Sequence, residues 1–471
     1  NSWLIETPSL LFWFKVCFIC FHDDVNHNKE KNLIDTVLKL IAFTLLGFCI
    51  FFFGVVATKM ELSPATALET PASVTQTLFS AYQIEECNNG IRWAHPQGSA
   101  PLKTFIRKDA YDTTYTIYTS THDTTARLID THGHVVHSWS FKYHDIFKDT
   151  SHIIALGKLN NKYFYLRDFH LFDNGDIILM ISAGGVTPWG MGFVKLDKNS
   201  NVIWTYTGYV NNDFEIGDDG ILYTIEHEVT RQKPAYLENV FLPYLEDNIV
   251  MLDSFGQEQD RFSLLDSIAK SPYAALLNGI ENDGIGDPTH SNSIEYIQKD
   301  NPNVPWIKQG HLIISVRNLS AMVVVNPKTY EVTHAQALPT KWQHDIDLLD
   351  NGHLLMFDNR GDITGKRYTR VIEMTSASSE TIWTHTQDAQ GLELHSAFFG
   401  QQQRKKDGST FITYAEHGQL FTVDQEGDIQ WAYNTPLYNI VDGVKKMPVI
   451  TSAQQYDSDF IQFIDKYCIV P

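Results

Sequence analysis

Cysteine is scarce in this chain, with five among 471 residues. Cys17, Cys20 and Cys49 fall in or near an apolar N-terminal region. Only Cys87 and Cys468 flank the remainder, so the globular part has at most one staple, Cys87 to Cys468 in an oxidising compartment, or else two free thiols. Basic residues are also few: 36 Lys and Arg against 56 Asp and Glu give a formal charge of −20. That balance excludes a nucleic-acid partner, which needs a basic surface. No GxxxxGK[ST] loop is present to cradle nucleotide phosphates, and no G-x-S-x-G elbow to present a serine nucleophile. No His or Cys set has the short spacing of a dedicated zinc motif. The expectation is therefore no metal and no cofactor.

Long apolar runs are confined to the N-terminus. Leu10–Phe21 is short and contains Lys15. The run from Leu40 to Thr58 carries no charge and is close to the roughly 20 apolar residues a membrane span requires. Lys29, Lys31 and Lys39 precede it, and positive charge marks the cytoplasmic side. The expected organisation is a cytoplasmic or non-native N-terminal segment at 1–32, a transmembrane or signal anchor at 33–58, and a stalk and lead-in at 59–110. The exported globular domain then occupies 111–471.

What the chain has in quantity is one recurring turn. An acidic or amide residue and a Gly precede an apolar run in Asp173-Asn174-Gly175, Asp218-Asp219-Gly220, Gln309-Gly310, Asp350-Asn351-Gly352 and Asp407-Gly408. Such turns between apolar runs signal hairpins, because Gly and Asn tolerate positive φ. A second element repeats beside it, a turn followed by a strand bearing Trp: Trp139, Trp204, Trp383 and Trp431. Units of roughly 40–50 residues with four strands indicate a β-propeller. The expected fold is all-β, a six-bladed β-propeller with an N-terminal membrane anchor and a partly helical insertion. The Gly220 to Gly310 spacing is about double the others, which places the insertion at about 231–289, with Leu264–Leu277 helical.

The innermost strand of a blade lines the central channel. The repeat puts His170, Asn212, His290, His344 and His395 at comparable points, and Arg317 ends the strand after His290. Several His and one Arg converging suit an anion, since Arg offers a planar fork to sulfate, phosphate or carboxylate oxygens. His can donate, shuttle a proton or act as a nucleophile. Polar residues at such points also serve only to satisfy backbone groups. His137, His334 and His385 sit beside or in place of the repeat Trp and read as packing or surface residues.

In His290-Ser291-Asn292-Ser293-Ile294, in Ile314-Ser315-Val316-Arg317, and in Gln343-His344 followed by Leu349-Asp350-Asn351-Gly352, the chain resembles the bacterial arylsulfate sulfotransferase family. The units Arg370–Trp383 and Gly418–Trp431 also look like that family's last blades, and the resemblance spans roughly 110–435. It implies a periplasmic six-bladed propeller, here held at the inner membrane. It also implies transfer of a sulfuryl group from a phenolic sulfate ester to a phenol without a nucleotide sulfate donor. The implied nucleophile is His344, with His290 and Arg317 on the sulfuryl oxygens, and with Asn292, Asn212, His170 and His395 as substrate-binding positions. The implied partners are an aryl sulfate donor and a phenolic acceptor. One departure stands out: where the family has His-His-Asp, this chain reads Asn211-Asn212-Asp213, and Asn exchanges no proton near neutral pH. That departure keeps two alternatives open, a catalytically silent propeller that binds an anionic ligand or a protein partner, and a sulfate or phosphate ester hydrolase.

Overall fold

The computed structural model describes residues 114–464 apart from 154–158, 238–239, 241, 281–285, 360–367 and 442–443, together with two short strands, Trp93–Ala94 and Phe105–Ile106. The expected anchor, most of the stalk and both Cys87 and Cys468 lie outside the described residues. Among the described residues no helix is long and apolar enough to cross a membrane.

Six antiparallel blade sheets, five of four strands and one of five, follow one another along the chain, as the repeat predicts. We number them as blades. Blades 2 to 6 begin with the innermost strands Phe164–Leu171, Val210–Ile216, Ser291–Tyr296, His344–Leu348 and Gln401–Arg404. Blade 1 is assembled from both ends of the domain. Thr114–Ser120, Thr125–Ile129 and Val135–Ser140 supply its outer three strands, and Ile450–Asp457 returns to supply the innermost. Phe105–Ile106 adds a fifth strand at the outer edge of blade 6.

Burial follows position in the blade. The second strand of blade 2, Ile177–Ala183, is buried at every residue. A strand packed on both faces reads as a continuous apolar run instead of an alternating one. The outermost strands are more exposed, as in Val135–Ser140 and Val202–Tyr206. Four of these outer strands carry the repeated Trp, and each indole N–H donates to a turn carbonyl of the next blade. Trp139 reaches Gly175, Trp204 reaches Ser254, Trp383 reaches Gln425 and Trp431 reaches Thr131, all at 2.9–3.0 Å. The Trp repeat is thus an inter-blade tie, and its last member connects blade 6 to blade 1. At Gly175 the turn needs φ +86, and a Cβ there would meet the Phe463 ring at 2.6 Å.

The long Gly220 to Gly310 spacing has a different origin from a single insertion. Tyr244–Leu252 and Glu258–Ser263 are the regular third and fourth strands of blade 3. The extra residues are divided in two, one part before Tyr244 and one after Ser263. The second part opens with the helix Leu264–Ala269, capped by the Ser263 hydroxyl on Asp266 N, and continues in a 3-10 turn at Ala274–Gly279. The helical expectation therefore holds, while the expected insertion at 231–289 contains two blade strands. Their alternation is masked in the sequence by the polar stretch Glu258-Gln259-Asp260 and by Glu246-Asp247.

Candidate functional site

Five of the six innermost strands break their pairing near their N-terminal end. The irregularities fall between Leu166 and Asp168, Asn211 and Phe214, Ser291 and Ser293, His344 and Asp347, and Ile450 and Ser452. A bulge re-aims the side chain it carries. Positive φ accompanies several of them: Asn212 (61°), His290 (44°), Trp342 (61°), Asp345 (56°) and Phe399 (58°). Backbone strain of this kind persists only where the surroundings enforce it, and it gathers at functional sites.

The re-aimed side chains form a hydrogen-bonded belt around the channel. Arg167 donates to the Thr451 carbonyl at 3.4 Å and to Asn212 Oδ1 at 3.1 Å. Asn212 Nδ2 donates to the Ser291 carbonyl and to Asn292 Oδ1, and Asn292 Nδ2 donates to the Gln343 carbonyl. The belt passes from blade 1 to blade 5 and ends beside His344. Asn212 is engaged at both ends of its amide. Asn212, within the Asn211-Asn212-Asp213 stretch, is here a structural link.

His344 is buried, and its neighbours determine which nitrogen is reactive. Asn359 Nδ2 donates to the carbonyls of Ser396 and Phe399, so its Oδ1 faces His344 Nδ1 at 2.6 Å. The Trp342 carbonyl lies 3.1 Å from the same Nδ1. Two acceptors at Nδ1 place the proton there and leave a lone pair on Nε2. Burial, then the positive charges of Arg167 and Arg317, hold the imidazole's proton affinity well below its usual value, against a weaker opposing pull from Asn359. His344 is therefore a neutral imidazole at physiological pH.

Around it stand the cations. Arg167 is fully buried, stacks at 4.0 Å over the Phe399 ring, and its Nε has no hydrogen-bond partner among the described residues. Arg317 lies 4.5 Å over Trp342, two residues before His344, and donates to Asn318 Oδ1. His290 is partly exposed, with its Nδ1 2.5 Å from Asp287 Oδ2.

Beyond this belt the channel turns acidic. A cavity of about 130 Å³ is lined by all six innermost strands, with Asp168, Asp213 and Asp345 in one layer and Glu215, Glu295 and Asp347 in the next. Burial and then mutual repulsion push most of these carboxyls up, Glu215 to about 8. His170 lines this part of the channel, and burial lowers its proton affinity to about 4.

The structure thus gathers His344, Arg317, His290, Asn292 and Asn212. It sets His170 further along the channel. His395 is exposed on a loop, and its backbone pairs with the Tyr414 hydroxyl. Two functional candidates escaped the sequence reading, Arg167 and Asn359. Arg167 sits in Tyr165-Leu166-Arg167-Asp168-Phe169-His170, which reads as an ordinary strand, and nothing local announces the bulge.

Residues 243–435 match a family model described as arylsulfotransferase (ASST). No curated protein matches the chain. Among solved structures, one from Bacteroides caccae, described as a protein of unknown function, is 12% identical with a TM-score of 0.46, covering 73% of this chain and 98% of that one. Another is a catalytically inactive variant of virginiamycin B lyase from Staphylococcus aureus with quinupristin, 12% identical with a TM-score of 0.33, covering 60% of this chain and 75% of that one.

Proposed function

We propose, from the match of residues 243–435 to the arylsulfotransferase family model, that the chain moves a sulfuryl group from a phenolic sulfate ester to a phenol through a covalent intermediate on His344. The observation that carries the reading is the lone pair of a neutral, buried imidazole held among Arg167, Arg317 and His290. In the first step His344 Nε2 attacks sulfur, an N–S bond forms, and the S–O bond to the aryl group breaks to release phenolate. Nδ1 keeps its proton on Asn359 and the Trp342 carbonyl, which face the charge the ring acquires. Arg317, His290 and Arg167 stabilise the sulfuryl oxygens as charge moves between the two ends of the transfer. An acceptor phenol then attacks sulfur, the N–S bond breaks, the phenol's proton passes to the bulk or to the departed phenolate, and neutral His344 is restored.

Two experiments test this. Brief exposure to 4-nitrophenyl sulfate, followed by intact-mass analysis and peptide mapping under non-acidic conditions, should add one sulfuryl group of about 80 Da to the peptide carrying His344. Release of nitrophenolate with no labelled protein rules out the covalent route. The second experiment is a pH profile. The nucleophile must be neutral, and its folded proton affinity is depressed, so kcat/KM should stay level as pH falls through the ordinary histidine range near 6.5 and drop only below it. Arg167→Met removes the larger of the two cationic contributions. It should therefore move the acid limb to higher pH and raise KM. An unchanged limb would separate Arg167 from His344.

Asn212 gives a second reading specific support, because its amide is fully used in the belt and supplies no acid. Saturable binding of sulfate esters without turnover would mark the protein as a silent binding propeller. We further propose, from the uncharged run at 40–58, that the propeller is held at a membrane and faces the periplasm.

A further inference from the structure

Blade 3 and the segment after it carry a second polar cluster, which touches the proposed sulfuryl site only through Asp287 and His290. His227 and Asp247 are direct partners across the antiparallel strands Leu222–Thr230 and Tyr244–Leu252. Asp287 joins them from the segment that leads into blade 4. One potential ligand atom from each residue lies within 4.8 Å of the others. The three are 1%, 0% and 5% exposed. His227 Nδ1 and Asp287 Oδ1 are buried polar atoms with no hydrogen bond, and Asp247 Oδ1 lies 3.3 Å from His227 Nε2. Leaving such atoms unsatisfied is costly, and two buried carboxylates side by side compound the cost.

We propose that His227, Asp247 and Asp287 bind a divalent metal ion of the zinc or manganese kind. One imidazole nitrogen and two carboxylates match the donor preferences of these ions and offset a charge of +2. Both carboxylates are already oriented by their other oxygens, as the outer partners of metal ligands usually are. Asp247 Oδ2 accepts from Ser291 N and the Thr289 hydroxyl, and Asp287 Oδ2 faces His290 Nδ1.

The competitor for this place is a proton on His227. Asn211 discriminates between proton and ion. Its Oδ1 is taken by the Trp189 indole N–H, so its Nδ2 donates toward His227 Nε2 at 2.8 Å. A proton on Nε2 would satisfy Asp247 Oδ1, 3.3 Å away, but would set donor against donor at Asn211. A metal ion on Nε2 exchanges that hydrogen bond for a coordination bond.

If His290 serves the sulfuryl site as read above, the ion also anchors it, because Asp287 would bridge the metal and His290. The metal claim itself is read without any activity. The full chain, purified through an affinity tag that carries no histidine, should contain about one equivalent of zinc or manganese by elemental mass spectrometry. Chelation should lower the Tm, and added Zn²⁺ or Mn²⁺ should restore it. Asp247→Asn should weaken the restored binding by about tenfold or more. Asp287→Asn, outside the strands, provides the same test if the first variant does not fold by circular dichroism. Metal-free protein whose Tm ignores both ions overturns the proposal, as does an equal response from the wild type and a folded variant.

Discussion

Replacing His344 by alanine should lower kcat/KM for sulfuryl transfer by about 10⁴-fold or more, the scale seen when a covalent nucleophile is removed. His137→Ala, in the outer strand of blade 1, should leave the rate unchanged. The contrast rests on what each ring faces. His137 Nε2 is occupied by the Lys198 carbonyl and the ring packs against Trp139. His344 has its Nδ1 occupied by Asn359 and its Nε2 directed away from both acceptors. Asn359→Leu gives an intermediate case. It removes the acceptor that fixes the tautomer, so transfer should slow while donor binding persists. Stopped-flow release of nitrophenolate and the mass label on the His344 peptide measure the same step in two ways. Retained turnover in His344→Ala, with the label absent, would mean direct transfer between donor and acceptor and would end the covalent account.

The architecture was legible because its signals are local. Asn174-Gly175, Gln309-Gly310 and Asn351-Gly352 announce their turns through residues that accept positive φ, and the glycines adopt it. The outer-strand tryptophans mark the same position in four of the six blades, and all four donate across a blade boundary. The site was partly legible for a similar reason: His290, Arg317 and His344 each stand next to a turn or a strand end. The remainder depends on register. Arg167 reaches the site only because the strand bulges between Leu166 and Asp168. Asn359 meets His344 across neighbouring strands of blade 5, where the partner of His344 is Phe357. His227 and Asp247 become opposite only once the 13 residues between Thr230 and Tyr244 are seen to close a hairpin. A one-residue slip would send those side chains to the other face. The sequence contains no marker for such a slip, so the same reading that places the blades leaves the polar partners unassigned.

Ending the chain at Val449 should abolish cooperative folding. The strand Ile450–Asp457 is the innermost strand of blade 1 and pairs with Thr114–Ser120 along its length. Without it, Thr114–Ser120 becomes an unpaired edge within the core of a closed ring, and buried backbone groups lose their partners. It is tied to two other blades as well, blades 2 and 6. The Thr451 hydroxyl donates to the Leu166 carbonyl, the Ser452 hydroxyl donates to Asp168, and Gln455 bonds Gln403 and Thr422. Ile450 is fully buried, and Ile461 and Phe463, which follow the strand, pack into the core around Trp139. Burying a large aliphatic side chain contributes about 1.5–3 kcal/mol, and each net hydrogen bond about 1 kcal/mol. Their combined loss is comparable with the whole stability of an ordinary domain, about 5–15 kcal/mol. Thermal and urea unfolding followed by near-ultraviolet circular dichroism is the measurement. A single transition at an unchanged midpoint in the shortened chain would show that blade 1 stands without its returning strand. The conservative Thr451→Val tests the functional side of the same closure. It keeps the strand and removes the hydroxyl that ties blade 1 to blade 2 beside Arg167, so it should cost about 1 kcal/mol of stability and disturb Arg167's anion site more than the fold.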